Sequence, residues 1–159
     1  MGSIRFDDIR QLFGRRLDSP EVSAFLGRFP DHRIGRPSDG VQHVSFRSLG
    51  FDLSFRPLTG LQGGRTKHLR VLQDVFLYRK GLDKHEVFSE PPFGITFTDT
   101  RDRLLEKLGE PSRTSMPSGV LSPFLGRVYW DLWHVDELAV HASYAPETWT
   151  PRLLTVSLQ

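Results

Sequence analysis

The 159-residue chain has no cysteine. That excludes disulfide frameworks, thiolate zinc sites and thiol nucleophiles, and it fits a protein that works in the reducing cytoplasm, the expected location. No apolar run approaches the roughly 18 residues that cross a bilayer. Residues 1–6 lead into a polar amphipathic segment instead of the apolar stretch of a signal peptide, so no membrane association is expected. A dominant charge is missing too. The 21 Lys and Arg are nearly matched by 19 Asp and Glu, for a net +2. They are dispersed along the chain, whereas nucleic-acid binders gather basic residues on one face or helix. Nucleic acid is therefore a disfavoured partner.

What is present is core material. The chain is 38% hydrophobic, with twelve Phe and three Trp, and its 25% charged content is that of a soluble folded protein. Residues 6–13 place Phe6, Ile9, Leu12 and Phe13 on one helical face, with Gly14 as a stop. A second helix begins with Ser19 as N-cap and Pro20 at the first position, where proline costs nothing. Val22, Phe25, Leu26 and Phe29 then make a buried stripe, and Pro30 ends it. The period changes to two over 41–46, 51–55 and 71–78, three expected strands. Residues 57–70 read as a Gly-rich basic loop and 79–94 as a connector, with a short extended piece at 86–88.

The same order then recurs. Thr98 is read as the N-cap of a helix carrying Leu104, Leu105 and Leu108, stopped by Gly109 and Pro111, with Asp99 and Arg103 as an i, i+4 ion pair. Strands follow at 128–133, 138–142 and 153–158. The expected fold is α+β, a single domain over 1–159. It comprises two tandem α-β-β-β units, at 6–78 and 95–159, joined by the connector 79–94. Together they form an antiparallel sheet with the helices packed on one face.

Strand alternation assigns the faces. Val44, Phe46, Phe51, Leu53, Phe55, Val75, Leu77, Trp133, Leu138, Val140, Ala142, Val156 and Leu158 should face the helices. The opposite face should carry His43, Arg47, Asp52, Ser54, Arg56, Asp74, Phe76 and Tyr78, then Trp130, His134, His141, Ser143 and Thr155. Aromatics, Arg and His on an open sheet face are the residue types enriched at protein interfaces. The alternative is that another part of the chain, or a second copy in a homodimer, covers them. The apolar residues in the loop 111–127, Phe124 among them, are a second candidate surface. The partner-binding set is therefore Arg47, Arg56, Phe76, Tyr78, Phe124, Trp130, His134 and His141.

Catalytic patterns give no assignment. Residues 60–67 lack the Gly-Lys-Ser/Thr ending of a phosphate loop and lead into a strand. Residues 112–122 offer hydroxyls without a Gly-x-Ser-x-Gly elbow. Glu86, Glu90, Asp99 and Asp102 form no recognisable acid–base pair. His134 and His141 could approach across a hairpin beside Asp136 and Glu137, but no third ligand has zinc spacing. No enzyme activity, metal or cofactor is expected, and a small hydrolase is the remote alternative. Nucleic-acid binding through Arg65, Lys67, His68 and Arg70 with stacking aromatics is the nearer one.

The tandem pattern, with its Leu108-Gly109-Glu110-Pro111 stop, resembles beta-lactamase inhibitory protein and the outer-membrane-assembly lipoproteins related to it in fold. The inhibitor's disulfides and the lipoprotein signal have no counterpart here. The resemblance implies a concave, aromatic-rich sheet that clamps a partner protein. In a cysteine-free chain of this size, the implied role is that of an immunity protein neutralising a bacterial toxin or effector.

Overall fold

The computed structural model describes residues 4–57, 69–115 and 129–159. Among these are three helices, α1 (Phe6–Arg10), α2 (Pro20–Gly27) and α3 (Arg101–Leu108). The strands are β1 (Arg33–Ile34), β2 (Gln42–Phe46), β3 (Phe51–Pro57), β4 (Arg70–Tyr78), β5 (Arg113–Thr114), β6 (Trp130–Val135), β7 (Leu138–Tyr144) and β8 (Pro151–Leu158). They form one antiparallel sheet in the order β1-β2-β3-β4-β8-β7-β6-β5. The fold is α+β. The last strands before the connector and before the C-terminus meet at the centre, with Val75 opposite Val156 and Leu77 opposite Leu154. The two-residue edge strands β1 and β5 were not expected, because two residues cannot display an alternation.

Capping and burial explain α2. The Ser19 hydroxyl accepts from the Val22 amide at 3.3 Å, and Pro20 occupies the first turn, where no donor is needed. Phe25 packs edge-on to Phe46 and Phe51, whose rings stack at 4.3 Å. Burying a Phe side chain contributes about 1.5–3 kcal/mol, which is what holds an eight-residue helix too short to persist alone.

The start of α3 differs from the expectation. Its cap is Thr100, whose hydroxyl accepts from the Arg103 amide at 3.4 Å. Thr98 instead shares a hydrogen bond with Thr96. The reason is Asp99, whose carboxylate accepts from the Thr96 amide at 2.7 Å and closes a turn over 96–99. Asp99 therefore lies outside the helix. It pairs with Lys107 at 2.7 Å, while Arg103 pairs with Glu106, so the expected Asp99–Arg103 pair is absent. Leu104 is fully buried, and Leu105 and Leu108 are partly buried against the same core.

The assigned sheet faces hold. Val44, Phe46, Phe51, Leu53, Phe55, Val75, Leu77, Trp133, Leu138, Val140, Ala142 and Val156 are buried in one cluster with Ile9, Val22, Phe25 and Leu104 from the three helices. Leu158 is the exception at 42% exposed. It is the last residue of β8, beyond the part of that strand paired with β4.

The connector does more than link. Gly50, at φ +78°, lies so close beneath residues 86–88 that a Cβ there would sit 2.4 Å from the Glu86 carbonyl oxygen and 2.5 Å from the Phe88 nitrogen. The connector is tied down at this crossing. The Glu86 amide donates to the Arg47 carbonyl and the Phe88 amide to the Tyr78 carbonyl. Phe88 then packs on Phe51 on the helix side, and His85 reaches the opposite side of the sheet.

Candidate protein-binding face

Cross-strand register lays out the face turned away from the helices. One row runs Ser45, Asp52, Phe76, Thr155, His141, Leu132 and Arg113. A flanking row runs His43, Ser54, Asp74, Ser157, Ala139 and His134, and another runs Tyr78, Leu153, Ser143 and Trp130. Neighbouring strands lie about 4.8 Å apart, so Phe76, Thr155, His141 and Trp130 form one continuous patch. No described helix covers it.

In the first half this face is partly closed by the chain itself. Asp52 is 8% exposed. It accepts from the Tyr78 hydroxyl at 2.9 Å and lies 2.8 Å from His85 Nε2. The other His85 nitrogen lies 3.0 Å from the Asp83 carbonyl, and the imidazole stacks on the Tyr78 ring at 3.8 Å. Burial, then the Asp52 charge, pushes the Tyr78 phenol well above its ordinary value. Tyr78 was expected as a partner anchor. At 9% exposed and with its hydroxyl engaged, it is a structural element instead. Arg56 is also occupied, at 2.8 Å from Asp74, whose other oxygen accepts from Ser157 at 2.6 Å. Arg47 remains exposed, and Phe76 is half-buried beside His43.

The second half is different. Trp130 and His141 are both half-buried, with ring centroids 5.1 Å apart. Burial lowers the His141 pKa, and the charge of Asp131 opposes that shift. A lowered pKa favours the neutral ring, which lies tilted by 32° against the indole. His134 is exposed. Phe124 lies outside the described residues, as do Arg65, Lys67 and His68. Arg70, the fourth member of that basic set, donates to the Gly40 carbonyl at 2.7 Å.

Two polar clusters were missed by sequence reasoning. The Asp52–Tyr78–His85 group left no signal, since His85 sits in an irregular connector. The second centres on Asp131, fully buried on the helix side. Arg101 at the start of α3 donates to it at 2.6 and 3.2 Å, and the Tyr144 hydroxyl at 2.9 Å. Burial and Asp131 together hold the Tyr144 phenol far above its usual range. Here a signal existed, because Asp131 has the same strand parity as the core residue Trp133.

Chemistry on this face is limited by geometry. His43, Ser54 and Asp74 are successive neighbours in one row, but no hydrogen bond joins them. The Ser54 hydroxyl is buried and unpartnered, and Asp74 is committed to Arg56 and Ser157. A nucleophile needs a base within hydrogen-bond reach. His134 and His141 are diagonal on the face, and Glu137 is held by Arg10 at 2.6 Å. No set of three ligating side chains is gathered among the described residues, and none of the described helices is long and apolar enough to cross a membrane.

No protein-family model matches the chain, and no curated protein matches it. Among solved structures, it is similar to a DUF4309 family protein from Bacillus subtilis. The identity is 10%, over 86% of this chain and 77% of that one, with a TM-score of 0.48. It is also similar to a cysteine-rich secretory protein from Staphylococcus aureus. There the identity is 7% over 94% of this chain, which spans 44% of that protein, with a TM-score of 0.55. The second likeness speaks to the fold alone.

Proposed function

We propose that this protein is a non-enzymatic protein-binding module, an inhibitor or immunity protein that neutralises a bacterial toxin or effector by direct contact. The observation that carries the reading is the half-exposed Trp130–His141 pair on the helix-free face of the sheet. Leu132, Leu153 and Phe76 extend it into an aromatic and aliphatic patch. Trp in such a setting is the residue type that dominates interface energies. Arg47 and Arg113 have no carboxylate partner among the described residues, so the complementary surface is acidic or neutral. The absence of cysteine fits a cytoplasmic site of action.

We also read the chain as two copies of one unit. The mirrored strand order, with a helix and a short edge strand preceding three longer strands in each half, supports that duplication.

The test is capture of a partner from the native host by tagged protein, repeated with Trp130→Ala and Tyr78→Phe. Trp130→Ala should abolish capture while the protein stays folded, and Tyr78→Phe should leave capture intact. Equal capture by the parent and Trp130→Ala would remove the proposed face.

A further inference from the structure

At the outer corner of the sheet, five strands from Trp130 in the sheet order, lies a groove of about 520 Å³. Its walls include Asp31, His32, Arg33, Ser45, Arg47 and Ser48. Two arginines therefore line one concavity together with two serines and a single aspartate. Neither Arg33 nor Arg47 has an ion-pair partner among the described residues, although the molecule pairs Arg10, Arg15, Arg16, Arg56, Arg101 and Arg103 elsewhere.

The backbones that carry the two groups are fixed. Arg33 is in register opposite Ser45, and the Arg47 carbonyl accepts from the Glu86 amide at 2.8 Å. The His32 ring is oriented as well. Its Nδ1 lies 2.7 Å from the Phe29 carbonyl, which can only accept, so that nitrogen carries the proton. The ring leans on Phe46 at 5.8 Å. Rigid positions bearing uncommitted donors are what anion recognition requires.

We propose that this groove is an oxyanion subsite for a phosphate group, either free or carried by a small ligand. Guanidinium presents planar forks of N–H donors that match the oxygens of phosphate. The two serine hydroxyls supply neutral donors beside them. The volume exceeds that of a bare phosphate and falls within the range of small-molecule sites, which leaves room for an organic moiety. The groove shares Arg47 with the proposed partner-binding set, but Arg33, Ser45 and Ser48 lie outside that set, and Trp130→Ala, which tests the binding face, touches no wall of the groove.

The experiment is a titration of the uniformly 15N-labelled protein, followed by amide chemical shifts at constant ionic strength set with sodium chloride. The probes are inorganic phosphate, pyrophosphate and AMP. Saturable shifts are expected at the amides of Arg33, Ser45, Arg47 and Ser48, with pyrophosphate tighter than phosphate. Arg33→Ala and Arg47→Ala should each weaken binding at least tenfold. Arg103→Ala, on the exposed side of α3, should leave it unchanged. Thermal melts of both groove variants should match the parent, since both side chains are exposed. Tighter binding of AMP than phosphate assigns the groove to a phosphorylated organic ligand, and equal affinity assigns it to the free anion. Shifts linear in concentration, or an equal loss in Arg103→Ala, would overturn the subsite.

Discussion

Each half of the molecule buries one aspartate against a tyrosine hydroxyl at 2.9 Å, but the two clusters lie on opposite sides of the sheet. Asp52, with Tyr78 and His85, sits on the side away from the helices. Asp131, with Tyr144 and Arg101, sits beneath α3. In both places a carboxylate too costly to bury alone is satisfied by a phenol and a nitrogen donor. The consequences differ. The first cluster draws the connector across the open face and closes part of it. The second uses the helix side and leaves Trp130 and His141 accessible. The side on which each carboxylate is clasped thus goes with how much of the helix-free face in that half stays accessible.

The most damaging way to test this contrast is to remove the carboxylates. Asp131→Ala should destabilise by about 3 kcal/mol, because it leaves the partly buried Arg101 guanidinium and the buried Tyr144 hydroxyl without their acceptor. Asp52→Ala should cost about 1–3 kcal/mol, the penalty for leaving buried hydrogen-bonding groups unsatisfied. Denaturant unfolding of both variants would measure the difference, and equal losses would show that the clusters are equivalent after all.

Smaller in stability but decisive for the proposed binding is the contrast between Trp130 and Tyr78. Trp130→Ala should lose about 2 kcal/mol or more of partner affinity. Tyr78→Phe should lose about 1 kcal/mol of folding stability without a change in affinity. Calorimetry with the captured partner and unfolding curves together separate the two roles.

Opening the covered half sharpens the comparison further. His85→Ala should speed hydrogen exchange at the Glu86 and Phe88 amides, which the connector crossing protects. It should also make Tyr78 reactive to nitration, while Tyr144 stays protected in the core. Unchanged exchange at those amides would mean that His85 does not hold the connector.

The smallest expected effects are those of pH. The phenols of Tyr78 and Tyr144 have raised pKa values, so their stabilising contribution is complete below about pH 10, the ordinary tyrosine value, and is lost as pH rises further. For His141 the shift is downward. Its unfolded form binds a proton more readily, so stability falls as pH drops below about 6.5. In His141→Gln, melting temperature should depend less on pH between about 7 and 5.

The sequence by itself determined the helices, the six longer strands and the buried face. Ser19-Pro20 starts a helix through local backbone chemistry, and the alternation of Phe51, Leu53 and Phe55 assigns sides because strand geometry has a period of two. Those signals are local, and of the sheet residues they assign to the helix side only Leu158 is exposed, while Leu72, Phe88, Ile95, Phe97, Tyr129, Tyr144 and Leu154 join the core without such an assignment. The start of α3 is also set locally, by the Asp99 turn over 96–99 that takes Thr98 out of the cap position. Only the tertiary structure decided that Tyr78 is closed and Trp130 open. His85 meets Asp52 across 33 residues and Arg101 meets Asp131 across 30, separations over which no periodicity carries information. The groove at Arg33 and Arg47 was hidden for the same reason, being assembled by an edge strand too short to leave a pattern.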